Sequence, residues 1–290
     1  MGRSNELERI MSEVYQIVTD RIIDALNKGI VPWRKPWKGD TIVPTSYKTR
    51  KPYRGVNRWL LDPSINGFTS GYWMTYKQAT ELGGQVRKGS KGSPCVFWKM
   101  IEDRKNPTRK IPILRQFTVF NLEQVDGIAA PETVRNDWTP IEQAEAMVNG
   151  WNNRPTILEN GGDRCFYRPA TDTISMASKC AFCTPEAWYA TLFHELVHST
   201  GHQSRLDRLN GSEYAREELV AELGAAFLCA ETGISNAALE TNTQAYIEGW
   251  LKVLHNDPRM IVSASGAAQR AVDMIKGVQW NDTPSDTAND

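Results

Sequence analysis

The residues from Thr191 to Gly201 constrain this chain more than any other stretch, because His194, Glu195 and His198 stand there as His-Glu-x-x-His. The flanks dictate a helix. Thr184 suits the N-cap, Pro185 the first helical position, Glu186 the positive end, and Gly201 a left-handed C-cap, so one helix is predicted from about Pro185 to Thr200. With a rise of about 1.5 Å and about 3.6 residues per turn, His194 and His198 share a face about 6 Å apart, and both imidazoles reach one ion. Glu195 is turned one step away, placed to hold a water and to act as general base. With 4 histidines in 290 residues, chance placement would produce the pattern roughly 0.004 times.

A catalytic zinc site takes three protein ligands and leaves a position for water. His202 lies past Gly201, off the end of the helix, and ranks second as the third ligand. The better source is a second predicted helix, capped by Ser212 and Gly233, in which Glu218 and Glu222 share a face. Glu218 is the expected ligand, with Glu217 as the off-by-one fallback. Glu222 is the expected acceptor of a hydrogen bond from a ligand histidine's other ring nitrogen. Two imidazoles and a carboxylate suit zinc and also admit manganese or cobalt. The arrangement resembles the glutamate zincins, the thermolysin-like metallopeptidases, and the resemblance implies metal-assisted hydrolysis in which Glu195 relays a proton to the leaving amine. Upstream, 164–168 and 172–176 read as two short strands around a turn at Pro169. In zincins a strand placed like the second is the sheet edge on which an extended peptide lies. Tyr167 and Arg168 are alternative oxyanion donors, between which the sequence does not select.

The formal net charge of zero hides an asymmetry. Residues 1–126 hold 22 Lys and Arg against 12 Asp and Glu, and residues 127–290 hold 12 against 22. The expected fold class is therefore α+β in two domains: an N-terminal α+β nucleic-acid-binding domain over 1–126 and a C-terminal zincin-like metallopeptidase domain over 139–280. A linker over 127–138 and a disordered tail over 281–290 complete the expectation. No run of 18 apolar residues exists and the N-terminus lacks the order of a secretory signal, so no membrane partner and a cytoplasmic location are expected. The 5 cysteines do not suggest a disulfide framework, and Cys180 and Cys183 read as ordinary thiols.

Within the basic half, apolar residues at helical spacing from Leu7 to Leu26 predict a helix over about 4–28. Residues 46–59 read as irregular backbone. A short helix follows from Thr75 towards Leu82, then a basic glycine-rich turn over 86–94. Strands at 95–100 and 116–121, joined by a polar loop, end the half. Cations interleaved with rings are what a binder of flexible single strands needs, since Lys and Arg neutralise phosphate and flat rings stack bases without regard to sequence. The candidates are Trp33, Arg34, Trp37, Tyr47, Lys48, Arg50, Tyr53, Arg54, Arg87, Lys88 and Lys91.

The stretches 33–37 (WRKPW), 74–78 (MTYKQ), 86–89 (VRKG), 117–124 (FTVFNLEQ), 194–202 (HELVHSTGH) and 216–222 (REELVAE) resemble the ArdC-type antirestriction proteins of conjugative plasmids over nearly the whole chain. The resemblance implies an N-terminal single-stranded-DNA-binding domain and a metallopeptidase-like domain. It further implies protection of incoming plasmid DNA against a host restriction enzyme, in the donor or recipient bacterial cell. Two alternatives stay open: a DNA-tethered metalloprotease acting on another DNA-bound protein, and a non-catalytic single-strand-binding module with a structural metal.

Overall fold

Apolar residues four apart give the first helix, α1 (Gly2–Asn27), a stripe of Val14, Val18, Ile22 and Leu26 that is almost wholly buried. Ile17 falls off that stripe and is exposed. The computed structural model describes residues 2–33, 43–103, 106–131, 139–159, 164–210, 213–234 and 243–278. Contacts divide the chain into two compact units.

The first unit holds α1, β1 (Thr45–Ser46), α2 (Asn57–Leu60), α3 (Pro63–Asn66), β2 (Tyr72–Met74), α4 (Tyr76–Glu81), β3 (Gln85–Val86), β4 (Ser93–Asp103), β5 (Asn106–Asn121) and β6 (Val125–Asp126). One sheet has the order β1-β2-β5-β4, antiparallel except for the β1/β2 pair, and β3 pairs with β6 in a separate ribbon. The polar loop expected between two short strands is instead ladder. β4 and β5 pair from Ser93↔Val119 out to Asp103↔Asn106, with a register shift between Glu102 and Asp103. The physical reason is apolar burial: Ile113 and Leu114, within the stretch expected as loop, are buried and face Lys99 and Trp98 across the ladder. Residues 46–59 are only partly irregular, for they contain α2 and Pro52 bridges to Thr45.

α4 is set locally. The Thr75 side chain accepts from the Gln78 amide at 3.1 Å, the Gln78 side chain accepts from the Thr75 amide at 3.0 Å, and Gly83, at φ +79°, ends the run. Beneath α4 a small core of Met74, Ala79, Val86, Leu122 and Val125 carries Tyr47, Tyr72, Phe120 and Ile128 at its margin.

The second unit holds α5 (Pro140–Gly150), β7 (Thr156–Glu159), β8 (Phe166–Arg168), β9 (Thr173–Met176), α6 (Pro185–Thr200), α7 (Tyr214–Thr232), α8 (Thr243–Asn256) and α9 (Met260–Ile275). Residues 29–33 also belong to it. Its sheet has the order β7-β9-β8, so the strand expected at the edge, β9, is central, with β8 outermost. The reason is that β7 pairs with β9 in parallel and covers its other side.

α6 spans the predicted residues, and the Thr184 hydroxyl accepts from the Ala187 amide at 3.2 Å. Its end differs from expectation. Gly201 has φ −78°, not a left-handed value, and is small for want of space. A Cβ there would stand 2.9 Å from Leu209 and 3.2 Å from Arg208, because the following loop folds back over the helix end. α7 does end on a left-handed glycine, Gly233. Glu213, which precedes α7, makes no side-chain cap bond, and Ser212 lies outside the described residues. The stretch 219–229, apolar except for Glu222, wraps most of α7 and buries it among its neighbours α6 and α9. α6 and α7 approach so closely that a Cβ on Gly224 would meet Val197 at 2.7 Å. Residues 132–138 of the expected linker and the tail 281–290 lie outside the described residues. Among those described, no helix is long and apolar enough to cross a membrane.

Candidate metal centre and nucleic-acid surface

α6 and α7 bring three donors to one point. His194 Nε2 and His198 Nε2 are 3.0 Å apart, and each lies 3.6 Å from an oxygen of Glu218. Donors about 2.0 to 2.1 Å from a tetrahedral zinc stand about 3.3 Å from one another, so the triangle already has the dimensions of a ligand set. It is the one metal-capable cluster of three or more such side chains among the described residues. The donor chemistry and spacing fit a divalent ion.

A second ring holds the first. His198 Nδ1 lies 3.2 Å from Glu217 Oε1, and Arg208 grips the same carboxylate through two nitrogens at 2.7 and 2.8 Å. Arg208 also donates to the Val197 carbonyl at 2.8 Å and the Thr200 hydroxyl at 3.0 Å. Glu222 was the expected acceptor for a ligand histidine, and for His198 the carboxylate in that position is Glu217, because α7 turns Glu217 towards His198 and Arg208. Glu222 stands near enough to His194 to act on its charge. Burial pulls the His194 pKa down, but Glu218, Glu195 and Glu222 together outweigh it and the net shift is upward. Burial pushes Glu217 up, yet Arg208 and His198 hold it below the usual carboxylate range. Glu218 follows the same pattern, with burial opposed by the two imidazoles. His202 is committed to its own loop, where its Nδ1 accepts the Ser204 amide at 3.2 Å and lies 2.7 Å from the Ser204 hydroxyl.

Glu195 is 7 % exposed, and its Oε2 accepts the backbone N–H of Tyr167 on β8 at 2.7 Å. Glu195 thus touches one of the two edge strands of this sheet. The Tyr167 hydroxyl donates to Asp172 at 2.8 Å, and Asp172 is gripped in turn by Arg205 at 2.8 and 2.7 Å, so that phenol is anchored as structure. Arg168 lies over the Phe166 ring at 5.3 Å. Tyr214, missed in the sequence, sits one helical turn before Glu218, close enough that the carboxylate's charge pushes its phenol pKa up. The spacing of four was the signal for it.

The nucleic-acid candidates scatter. Trp33 is 1 % exposed and packs edge-on against Trp250 at 6.4 Å in the second unit, so it is core and cannot stack a base. Arg34 and Trp37 lie outside the described residues. Tyr53 and Arg54 are half-buried, and burial pushes the Tyr53 phenol well up. The Tyr47 ring carries the Arg50 guanidinium at 4.3 Å, with Lys48 nearby in an ion pair to Glu81 at 3.0 Å. Arg87, Lys88 and Lys91 form a second exposed group on the turn after β3, with Arg87 paired to Asp126 at 3.2 Å. Tyr76 and Phe120, which are not among the nucleic-acid candidates, stand beside that turn. Neither lies in a basic sequence run, and only the fold brings them to it.

A family model for the N-terminal domain of anti-restriction factor ArdC matches residues 12–120, and one for a zincin-like metallopeptidase matches residues 142–267. The chain is 36 % identical to a DNA primase TraC of Escherichia coli over 93 % of its own length, but it spans only 27 % of that primase. A second E. coli TraC primase, 35 % identical, is spanned over 20 %. The uncharacterized protein y4eC of Sinorhizobium fredii is 36 % identical, with 92 % of this chain and 93 % of that one covered. Among solved structures, antirestriction ArdC protein from the R388 plasmid is similar in its metal-free form (38 % identity, TM-score 0.75) and its Mn(II)-bound form (39 %, 0.76). Each comparison covers 91 % of this chain and 97 % of that one.

Proposed function

Since the chain belongs to the ArdC family of antirestriction proteins, we propose that it binds single-stranded DNA in the cytoplasm and shields incoming conjugative plasmid DNA from a restricting host. On this reading the second unit is a metal-dependent peptidase-like domain. The observation that carries the metal half is the triangle of His194, His198 and Glu218, whose spacing matches a ligand set. A divalent ion held there would supply an acidified water and polarise a carbonyl. His198 keeps its Nε2 free to ligate because Glu217 accepts the proton on its Nδ1. Glu195, next to that face, takes the proton from water on Oε1 and hands it to the leaving amine, while its Oε2 accepts the Tyr167 amide and holds the side chain in place. The donor set favours zinc, and the Mn(II)-bound neighbour supports manganese as an occupant.

The test is transfer of an unmodified plasmid into a restricting recipient that expresses the chain or its Glu195→Gln variant. Protection by the wild type supports the reading, and no protection ends it. Loss of protection in the variant assigns the effect to hydrolysis, with a host restriction enzyme or another DNA-bound protein as substrate. Full protection by the variant favours a second reading, in which the metal only staples α6 to α7 around a single-strand binder. One observation favours that alternative: Glu195 is buried, with one of its two carboxylate oxygens held by the Tyr167 amide.

A further inference from the structure

Beside the core beneath α4, the first unit opens a groove of about 730 Å³ lined by Tyr76, Phe120, Arg87, Lys88, Gly89 and Ser90, among others. That volume lies in the range of small-ligand sites. We infer that it holds one unstacked nucleotide of a single strand, with the base against Tyr76 and Phe120 and the phosphate on Lys88. This rests on the single-strand reading above and gives it a place.

The rings are presented rather than packed away. Tyr76, the first residue of α4, is 53 % exposed while its ring meets Phe120 edge-on at 6.4 Å, and Gln85 Nε2 lies 3.4 Å from its hydroxyl. One ring is thereby braced by another and left with a face for a base. The opposite wall follows from turn chemistry. The Ser90 amide donates to the Arg87 carbonyl at 3.1 Å, and Gly89 at the third position has φ +86°, the arrangement of a type II turn. Lys88 therefore sits at the outer corner of the turn, exposed. Lys88 and Lys91 make no ion pair among the described residues. The acidic wall residue, Asp126, is matched by Arg87, which also donates to the Glu123 carbonyl, so the groove keeps cations to offer a phosphate. A paired duplex hides its base faces by stacking, whereas a single strand can turn one base into such a groove.

The experiment is fluorescence anisotropy of the full chain with a fluorescein-labelled oligothymidylate over a salt series, comparing wild type with Tyr76→Ala, Tyr76→Phe, Lys88→Ala and Trp98→Ala. Trp98 is a similarly exposed ring, 49 %, placed on β4 outside the groove. Tyr76→Ala is expected to weaken binding about 5- to 100-fold, with Tyr76→Phe and Trp98→Ala near wild type. Lys88→Ala is expected to reduce the log–log salt slope by about 0.7. An oligonucleotide carrying 5-iododeoxyuridine provides a readout that needs no variant, with photocrosslinks expected at Tyr76 or Phe120. Wild-type binding that neither Tyr76→Ala nor Lys88→Ala alters, or crosslinks only elsewhere, overturns the groove and leaves the single-strand reading standing. Absence of wild-type binding overturns both.

Discussion

Glu217 and Glu218 are neighbours in the chain with opposite tasks: Glu218 faces both imidazole Nε2 atoms, and Glu217 serves His198 from behind under the grip of Arg208. Glu217→Gln is expected to lower metal affinity about 10- to 100-fold, as losses of such supporting carboxylates do. Glu195→Gln is expected to leave it near wild type. Competition against a chromophoric chelator measures both. Arg208→Ala leaves a buried carboxylate without its main partner and is expected to cost about 3 kcal/mol in urea unfolding. The placement of His194, Glu195 and His198 was legible because it is local to one helix. The choice among Glu217, Glu218 and Glu222 was only half legible, since it depends on how α7 is rotated against α6. Arg208 gave no signal, because the loop that carries it folds back only after Gly201.

At the scale of elements, the separation of α6 and α7 is set where Gly224 meets Val197. Gly224→Ala adds a methyl group with no room for it, and overpacking of this kind costs about 1 to 3 kcal/mol. Metal affinity is expected to fall with it, and Val197→Ala in the same chain is expected to restore part of both. Thermal unfolding and chelator competition on the double-mutant cycle test this. A second anchor ties the β8–β9 turn to the loop after α6 through Asp172 and Arg205. The hydrogen bonds from Arg205 hold the Asp172 carboxyl below its usual range, against a smaller upward push from burial. A depressed carboxylate contributes stability that is complete above its unfolded-chain pKa of about 3.9 and is lost as pH falls through the lower folded value. The stability gap between wild type and Asp172→Asn is therefore expected to be constant near neutrality and to shrink below about pH 4 in urea titrations. The span of α6 was readable from Thr184, Pro185 and its periodicity, but the manner of its ending at Gly201 was not. The outer β4–β5 ladder was not, because polar residues that pair across strands look like a loop when only one strand is read.

For the whole molecule, the uneven charge and the division into two units were legible, while the membership of residues 29–33 was not. Trp33 follows α1 directly, yet its ring belongs with Trp250, a pairing over 200 residues apart that no local pattern announces. If DNA binding lies in the basic half, single-strand affinity is expected to fall steeply with salt and to be indifferent to a metal chelator. Anisotropy with and without chelator checks this. The bond from the Tyr167 amide to Glu195 also bears on colloidal behaviour. Outermost strands invite other chains to add on to them, and here the carboxylate occupies a donor on that rim. Truncating Glu195 to alanine uncovers the donor, so a variant made to be inert would also become a better template for self-association. Glutamine keeps an oxygen there, and concentration-dependent light scattering would separate the two substitutions.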